Sequence, residues 1–213
     1  MRHPAKNFDY LVFIGRFEPF HNAHRIVVDR ALAAAAKLIM IIGSAGRPRS
    51  FKNPWNVDER TVMIRRSLSP DEAQRVLIGS VCDALYNDEQ WTRGVQDEVA
   101  RLIAGDGGDP AQARVGIIGH EKDASSYYLQ MFPQWPRVES ADVAGLSATQ
   151  VRDAFLDDSS AAGNMMLVES AVPAAVYEFL KSFRQTPAYD QLVREFEFIR
   201  TYRKSWEKAP YAP

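Results

Sequence analysis

Apolar and polar positions fall in blocks along this chain. Residues 10–14 (YLVFI) and 38–42 (LIMII) are short, unbroken apolar runs of strand length, the pattern of strands covered on both faces. Residues 75–81 and 115–118 read as two more strands and 136–139 as a short fifth. Between the strands the period lengthens to that of helices. After a loop at 15–21, Val28, Leu32, Ala35 and Ala36 fall on one helical face. Asn56 and Glu59 form a capping-box pattern ahead of Val57, Met63 and Ile64, and Ser147 and Gln150 form another that opens a helix to about Leu156. Helical patterns also cover 88–104, 123–132, 172–183 and 189–206, while 43–55 and 105–110 are rich in loop and turn residues. Parallel strands need crossover helices, so this order predicts a doubly wound α/β sheet of about five parallel strands with a helical C-terminal part. The expected division is a main domain over 1–186 and a C-terminal helix and Pro-containing tail over 187–213. Phe196, Phe198, Tyr202 and Trp206 near that tail either pack onto the core or form a docking face for a second domain. There is no internal repeat.

Composition narrows the class. With 46% hydrophobic and 25% charged residues the bulk of the chain is globular rather than disordered or fibrous. Lys and Arg number 26 against 27 Asp and Glu, a net charge of −1 with no basic stripe, which argues against nucleic acid held by phosphate neutralisation. A lone Cys82 excludes an internal disulfide and a Cys-based zinc site. The run at 38–42 is far too short to span a bilayer, and residues 1–9 lack the apolar core of a signal peptide, so no membrane partner and a cytoplasmic location are the expectation.

Candidate chemistry concentrates in two places. No P-loop, GxGxxG, GxSxG or HExxH pattern occurs. Instead Gly15-Arg-Phe-Glu-Pro-Phe-His-Asn-Ala-His24 lies between the first strand and the first helix, where open α/β sheets bind ligands. Two of the chain's four histidines, His21 and His24, fall there, at a helix N-terminus whose free N–H groups and dipole favour anions. Arg16 can add a bidentate clamp. Two histidines three apart also suit a metal, although further ligands are not apparent nearby, and they also suit a purely structural loop. Ser147, Thr149 and Arg152 build a second helix N-terminus with phosphate-binding donors, or an ordinary capped helix with a surface arginine.

Resemblance separates these readings. GRFEPFHNAH resembles the GRFQPFHxGH signature of the nucleotidyltransferase superfamily, and Leu146-Ser-Ala-Thr-Gln-Val-Arg152 resembles its ISxTxxR motif. Ala23 stands where the family usually has Gly, and Glu18 where Gln is frequent. The resemblance implies a Rossmann-like fold, catalytic roles for His21, His24 and Arg152 at the nucleotide triphosphate, and ATP contacts from Gly15, Arg16, Phe17, Gly119, Ser147 and Thr149. Residues 50–60 (SFKNPWNVDER) are similar to the KNPF-x-x-x-ER stretch of archaeal-type nicotinamide mononucleotide (NMN) adenylyltransferases. That likeness assigns Lys52 to the phosphates and Asn53, Trp55 and Trp91 to NMN; an indole face suits a planar pyridinium, and Trp91 also suits the core side of a helix. Residues 119–128 (GHEKDASSYY) look like a nucleotide-binding loop of bifunctional NMN adenylyltransferase/Nudix hydrolases. The implied reaction joins ATP and NMN into NAD and pyrophosphate with Mg²⁺ carried by the substrate and no protein metal cage. An adenylyl- or cytidylyltransferase with another phosphate acceptor, and a silent nucleotide sensor favoured by Ala23, are the alternatives. A homo-oligomer and a C-terminal Nudix domain after a Pro-rich segment like 210–213 are compatible with the resemblance; no Nudix box occurs within these residues.

Overall fold

The structure, a computed structural model, describes residues 6–119, 129–139 and 147–207, with backbone alone for 160–163 and 204–207. Five parallel strands run β1 (Phe8–Gly15), β2 (Ala35–Ile42), β3 (Val76–Ser80), β4 (Val115–Gly119) and β5 (Arg137–Glu139), in the order β3-β2-β1-β4-β5. The order reverses between β1 and β4, so the crevice beyond their carboxyl ends is the topological switch point of the sheet. The register Gly15↔Ile42 and Ile42↔Ser80 brings three of those ends level.

Alternating strand residues feed two cores. Leu11, Phe13, Leu38, Met40 and Ile42 face α1 (Asn22–Ala34), α2 (Val57–Arg66), α5 (Ala148–Leu156), α6 (Ala161–Ala171), α7 (Ala174–Phe183) and α8 (Pro187–Glu207). Tyr10, Val12, Ile14, Ile39 and Ile41 face α4 (Asp88–Gly105) together with Phe132 and Trp135. Both faces are covered, which is why the strand sequences are apolar throughout. Tyr189, Leu192, Val193 and Phe196 of α8 are buried in the first core, whereas Phe198 and Tyr202 are exposed and stacked at 6.4 Å.

Several expected boundaries move. Ala35 and Ala36 belong to β2, not α1, because Ala35 pairs with Phe8 and has extended backbone; alanine's helix propensity yields to the parallel ladder. Two helices carried no readable stripe: α3 (Pro70–Ala73), one turn capped by Ser69 with no buried residue, and α6, whose small and polar residues break the period. Within the expected helix at 123–132, residues 129–131 form a 3-10 turn and 123–128 lie outside the described residues, as does the tail from 208. No described helix is long and apolar enough to cross a membrane.

Candidate active site

The loop after β1 is packed inward along nearly its whole length. Gly15 is required by close approach: a Cβ there would lie 2.9 Å from two ring carbons of Phe17, which itself sits at φ 53°. Phe17, Glu18 and Phe20 are 0–1% exposed and His21 is 5% exposed, while Arg16 stays in solvent. The Glu18–Pro19 peptide is cis. His21 is the N-cap of α1, and its main-chain N–H donates to His24 Nδ1 at 3.2 Å. Accepting at Nδ1 puts the proton of the neutral His24 ring on Nε2. The two imidazoles stack with centroids 3.6 Å apart, and His24 rests on Phe20 (5.6 Å) and edge-on to Phe17 (5.0 Å). A floor of three phenylalanines thus fixes both rings at a helix N-terminus, since Phe13 also lies 5.9 Å from His24.

The second motif converges on the same loop. Ser147 caps α5 and exchanges hydrogen bonds with Gln150. One turn on, buried Arg152 donates from one terminal nitrogen to the Glu18 carbonyl (2.9 Å) and from the other to the Thr149 hydroxyl (3.1 Å). Segments 134 residues apart are thereby tied by a buried charge-assisted bond. Burial, then the like charge of Arg16, lowers the Arg152 pKa, opposed by Glu18.

Arg60, outside the expected site residues, completes this arrangement. It is 1% exposed in the middle of α2. Its guanidinium donates to the carbonyls of Arg16 (3.0 Å), Gly43 (2.8 Å), Ser44 (3.3 Å) and Asn56 (3.3 Å), and contacts the Glu18 carboxylate at 3.3 Å. Burial raises the Glu18 pKa to about 7, against the pull of Arg60, Arg16 and Arg152. One signal was available: Arg60 precedes Met63 and Ile64 by three and four positions, so it lies on the buried stripe of α2.

Other expected residues lie elsewhere. Trp55 is 1% exposed between Phe155 (5.7 Å) and Phe183 (6.0 Å), so as a contact for NMN it is corrected to a core residue. The Phe17 ring has no exposed face and supports His24. Gly119 ends β4, where a Cβ would stand 2.9 Å from Leu129; residues 120–128 of its expected loop lie outside the described residues. Lys52 is exposed with its ammonium 5.8 Å from the Phe51 ring centroid, on a turn closed by mutual main-chain bonds between Ser50 and Asn53. That turn is anchored to α8 by the Phe51 N–H on Glu195. Trp91 is half-buried in the first turns of α4, 5.9 Å from Phe132. Beside that end of α4 an open depression of about 690 Å³ is lined by Val81, Cys82, Asp83, Asn87, Gln90 and Arg93, among others. Among the described residues no group of three His, Cys, Asp or Glu side chains could hold a metal ion.

Two imidazoles at the head of α1 and the guanidiniums of Arg16, Arg60 and Arg152 thus gather around one loop at the carboxyl edge of a doubly wound sheet. Residues 12–154 match the cytidylyltransferase-like family. The chain belongs to that nucleotidyltransferase family. Within it the chain is 38% identical over 190 residues to the nicotinamide/nicotinic acid mononucleotide adenylyltransferase of Acinetobacter baylyi, covering 89% of this chain and 94% of the relative. It is also 25% identical to the nicotinamide-nucleotide adenylyltransferase of Sulfurisphaera tokodaii, over 81% of this chain and 91% of that one. A crystal structure of a bifunctional NMN adenylyltransferase/ADP ribose pyrophosphatase from Francisella tularensis, complexed with AMP and a manganese ion, superimposes with a TM-score of 0.82 at 28% identity. That match covers 97% of this chain and spans 58% of the Francisella chain.

Proposed function

We propose that this protein transfers the adenylyl group of ATP to nicotinamide mononucleotide, giving NAD and pyrophosphate. A 5′-phosphate oxygen of NMN attacks the ATP α-phosphorus in line; the bond to the bridging oxygen of the β-phosphate breaks and pyrophosphate leaves. The reaction needs no protein nucleophile, so the protein supplies position and charge stabilisation. The observation that supports this reading is that Arg152, from α5, donates to the Glu18 carbonyl on the loop that leads directly into the His21–His24 pair at the head of α1.

In this reading His24 donates from Nε2 to a phosphate oxygen, and His21 and Arg152 hold the charge that gathers on the triphosphate. Gly15, Arg16, Ser147 and Thr149 line the ATP side, with Lys52 and Gly119 at its margins. Trp91 stacks on the nicotinamide ring, with Asn53 also on the NMN side. The donors around the loop are cationic or imidazole, and its one carboxylate is buried in an ion pair. That set does not suit a divalent cation, so magnesium enters as part of the MgATP substrate, held by phosphate oxygens and water. In this reading residues 1–186 carry the transfer in the cytoplasm, with α8 packed against them.

The test is a coupled assay with ATP and NMN that reads NAD formed. NAD production with stoichiometric pyrophosphate is expected. Pyrophosphate release with a different phosphate acceptor alone, or tight ATP binding without any release, would replace this reading by the two alternatives.

A further inference from the structure

Glu18 is 1% exposed, and neither of its carboxylate oxygens accepts a hydrogen bond from the described residues. Buried carboxylates are ordinarily met by several donors. The charges of three guanidiniums favour its ionised form, in order Arg60 from α2, Arg16 on its own loop and Arg152 from α5. Arg60 makes an ion-pair contact at 3.3 Å, while Arg152 donates to the main-chain oxygen of Glu18 rather than to its side chain. The loop is therefore held through carbonyls, those of Arg16 and Glu18 above all. The carboxylate balances charge without fixing geometry.

We propose that Glu18 is the charge-balancing residue of this anion site: in the free protein its buried carboxylate is the shared counter-ion of Arg16, Arg60 and Arg152, and when a nucleotide's phosphates arrive on Arg16 and Arg152, Glu18 takes up a proton. The inference rests on the adenylyl-transfer reading for the identity of the anion. Phosphate oxygens supply the guanidiniums with a new counter-charge and place negative charge near a carboxylate that is already poorly solvated. Both effects favour the neutral acid. Burial has moved the group to about 7, so the step lies within reach of ordinary solution pH, and the proton comes from the solvent. Below that pH Glu18 is already protonated and binding takes up little. Above it each binding event must recruit a proton, so affinity falls as pH rises. Glu18 acts only through the charge it shares with the guanidiniums and is not a catalytic residue.

The experiment is titration calorimetry with MgATP alone, in two buffers of different ionisation enthalpy at pH 7 and pH 8; the probe stays fully ionised over that range. The wild type is expected to take up a large fraction of one proton at pH 8 and to bind up to about tenfold more weakly there than at pH 7. Glu18→Gln keeps the side-chain shape and is expected to lose both the uptake and the slope. Contributions of His21 and His24 are common to the two proteins and cancel in the difference. Absence of uptake by the wild type at pH 8, or equal uptake and slope in both proteins, overturns the proposal. A wild type that makes NAD yet takes up no proton overturns it alone; one that binds no MgATP overturns the adenylyl-transfer reading as well.

Discussion

The loops after β1 and after β3 both lie at the carboxyl edge of the sheet, and they are built in opposite ways. After β1, Phe17, Glu18, Phe20 and His21 are all buried, and two buried arginines from different helices grip the main chain. After β3, Cys82, Asp83, Leu85 and Tyr86 are exposed, Tyr86 fully so at φ 56°. The pair between Arg47 and Asp83 (2.8 Å) and the Ser44 hydroxyl on Asp83 (3.1 Å) join this region to the β2 loop at the solvent boundary. In the adenylyl-transfer reading the difference matches two tasks. Stabilising charge in a transition state demands donors that do not reorganise, so that end is over-determined. Accommodating one acceptor rather than another can be left to exposed side chains, whose pairs contribute little to stability.

The sharpest way to break this contrast is to cut the buried end. Arg60→Met strips donors from the Arg16, Gly43 and Ser44 carbonyls and leaves Glu18 without its ion-pair contact. Breaking a buried pair from one side costs about 3–5 kcal/mol, on the order of a 10 °C fall in Tm for a chain of this size. Adding Glu18→Gln should restore part of it. Thermal unfolding is the measurement, and a fall of less than about 3 °C would mean that the loop is held by something else.

Next in size is His24→Ala. Removing one donor aimed at developing charge typically lowers turnover by about 10²–10³-fold. Steady-state kinetics should show that loss with ATP affinity nearly kept, because Arg16, Arg152 and His21 remain; near-normal turnover would refute the role. The smallest effect belongs to the open end. Trp91→Ala should weaken NMN by about tenfold, the scale of a desolvated cation–π contact, and leave ATP binding and Tm almost unchanged. Equal weakening of both ligands by calorimetry would remove the stacking role.

Much of this was legible in the chain. The runs at 10–14 and 38–42 predicted strands because burial on both faces leaves no polar alternation. The capping boxes at Asn56 and Ser147 were readable because a cap is a local interaction between residues three apart. Trp55 was misread because a KNPW segment looks the same whether its indole faces a ligand or the core, and only its packing between Phe155 and Phe183 distinguishes them.

The sequence by itself determined the layered α/β order and the local shape of the helix starts at His21 and Ser147, since strand burial, helical period and capping act over a few residues. Tertiary structure alone decided that Arg60 and Arg152 enclose Glu18 from separate helices, and that Phe13, Phe17 and Phe20 form the floor under His24. The physical reason is that burial of a charge depends on what the rest of the chain folds around it, and no short-range pattern records which guanidinium a distant carboxylate will meet.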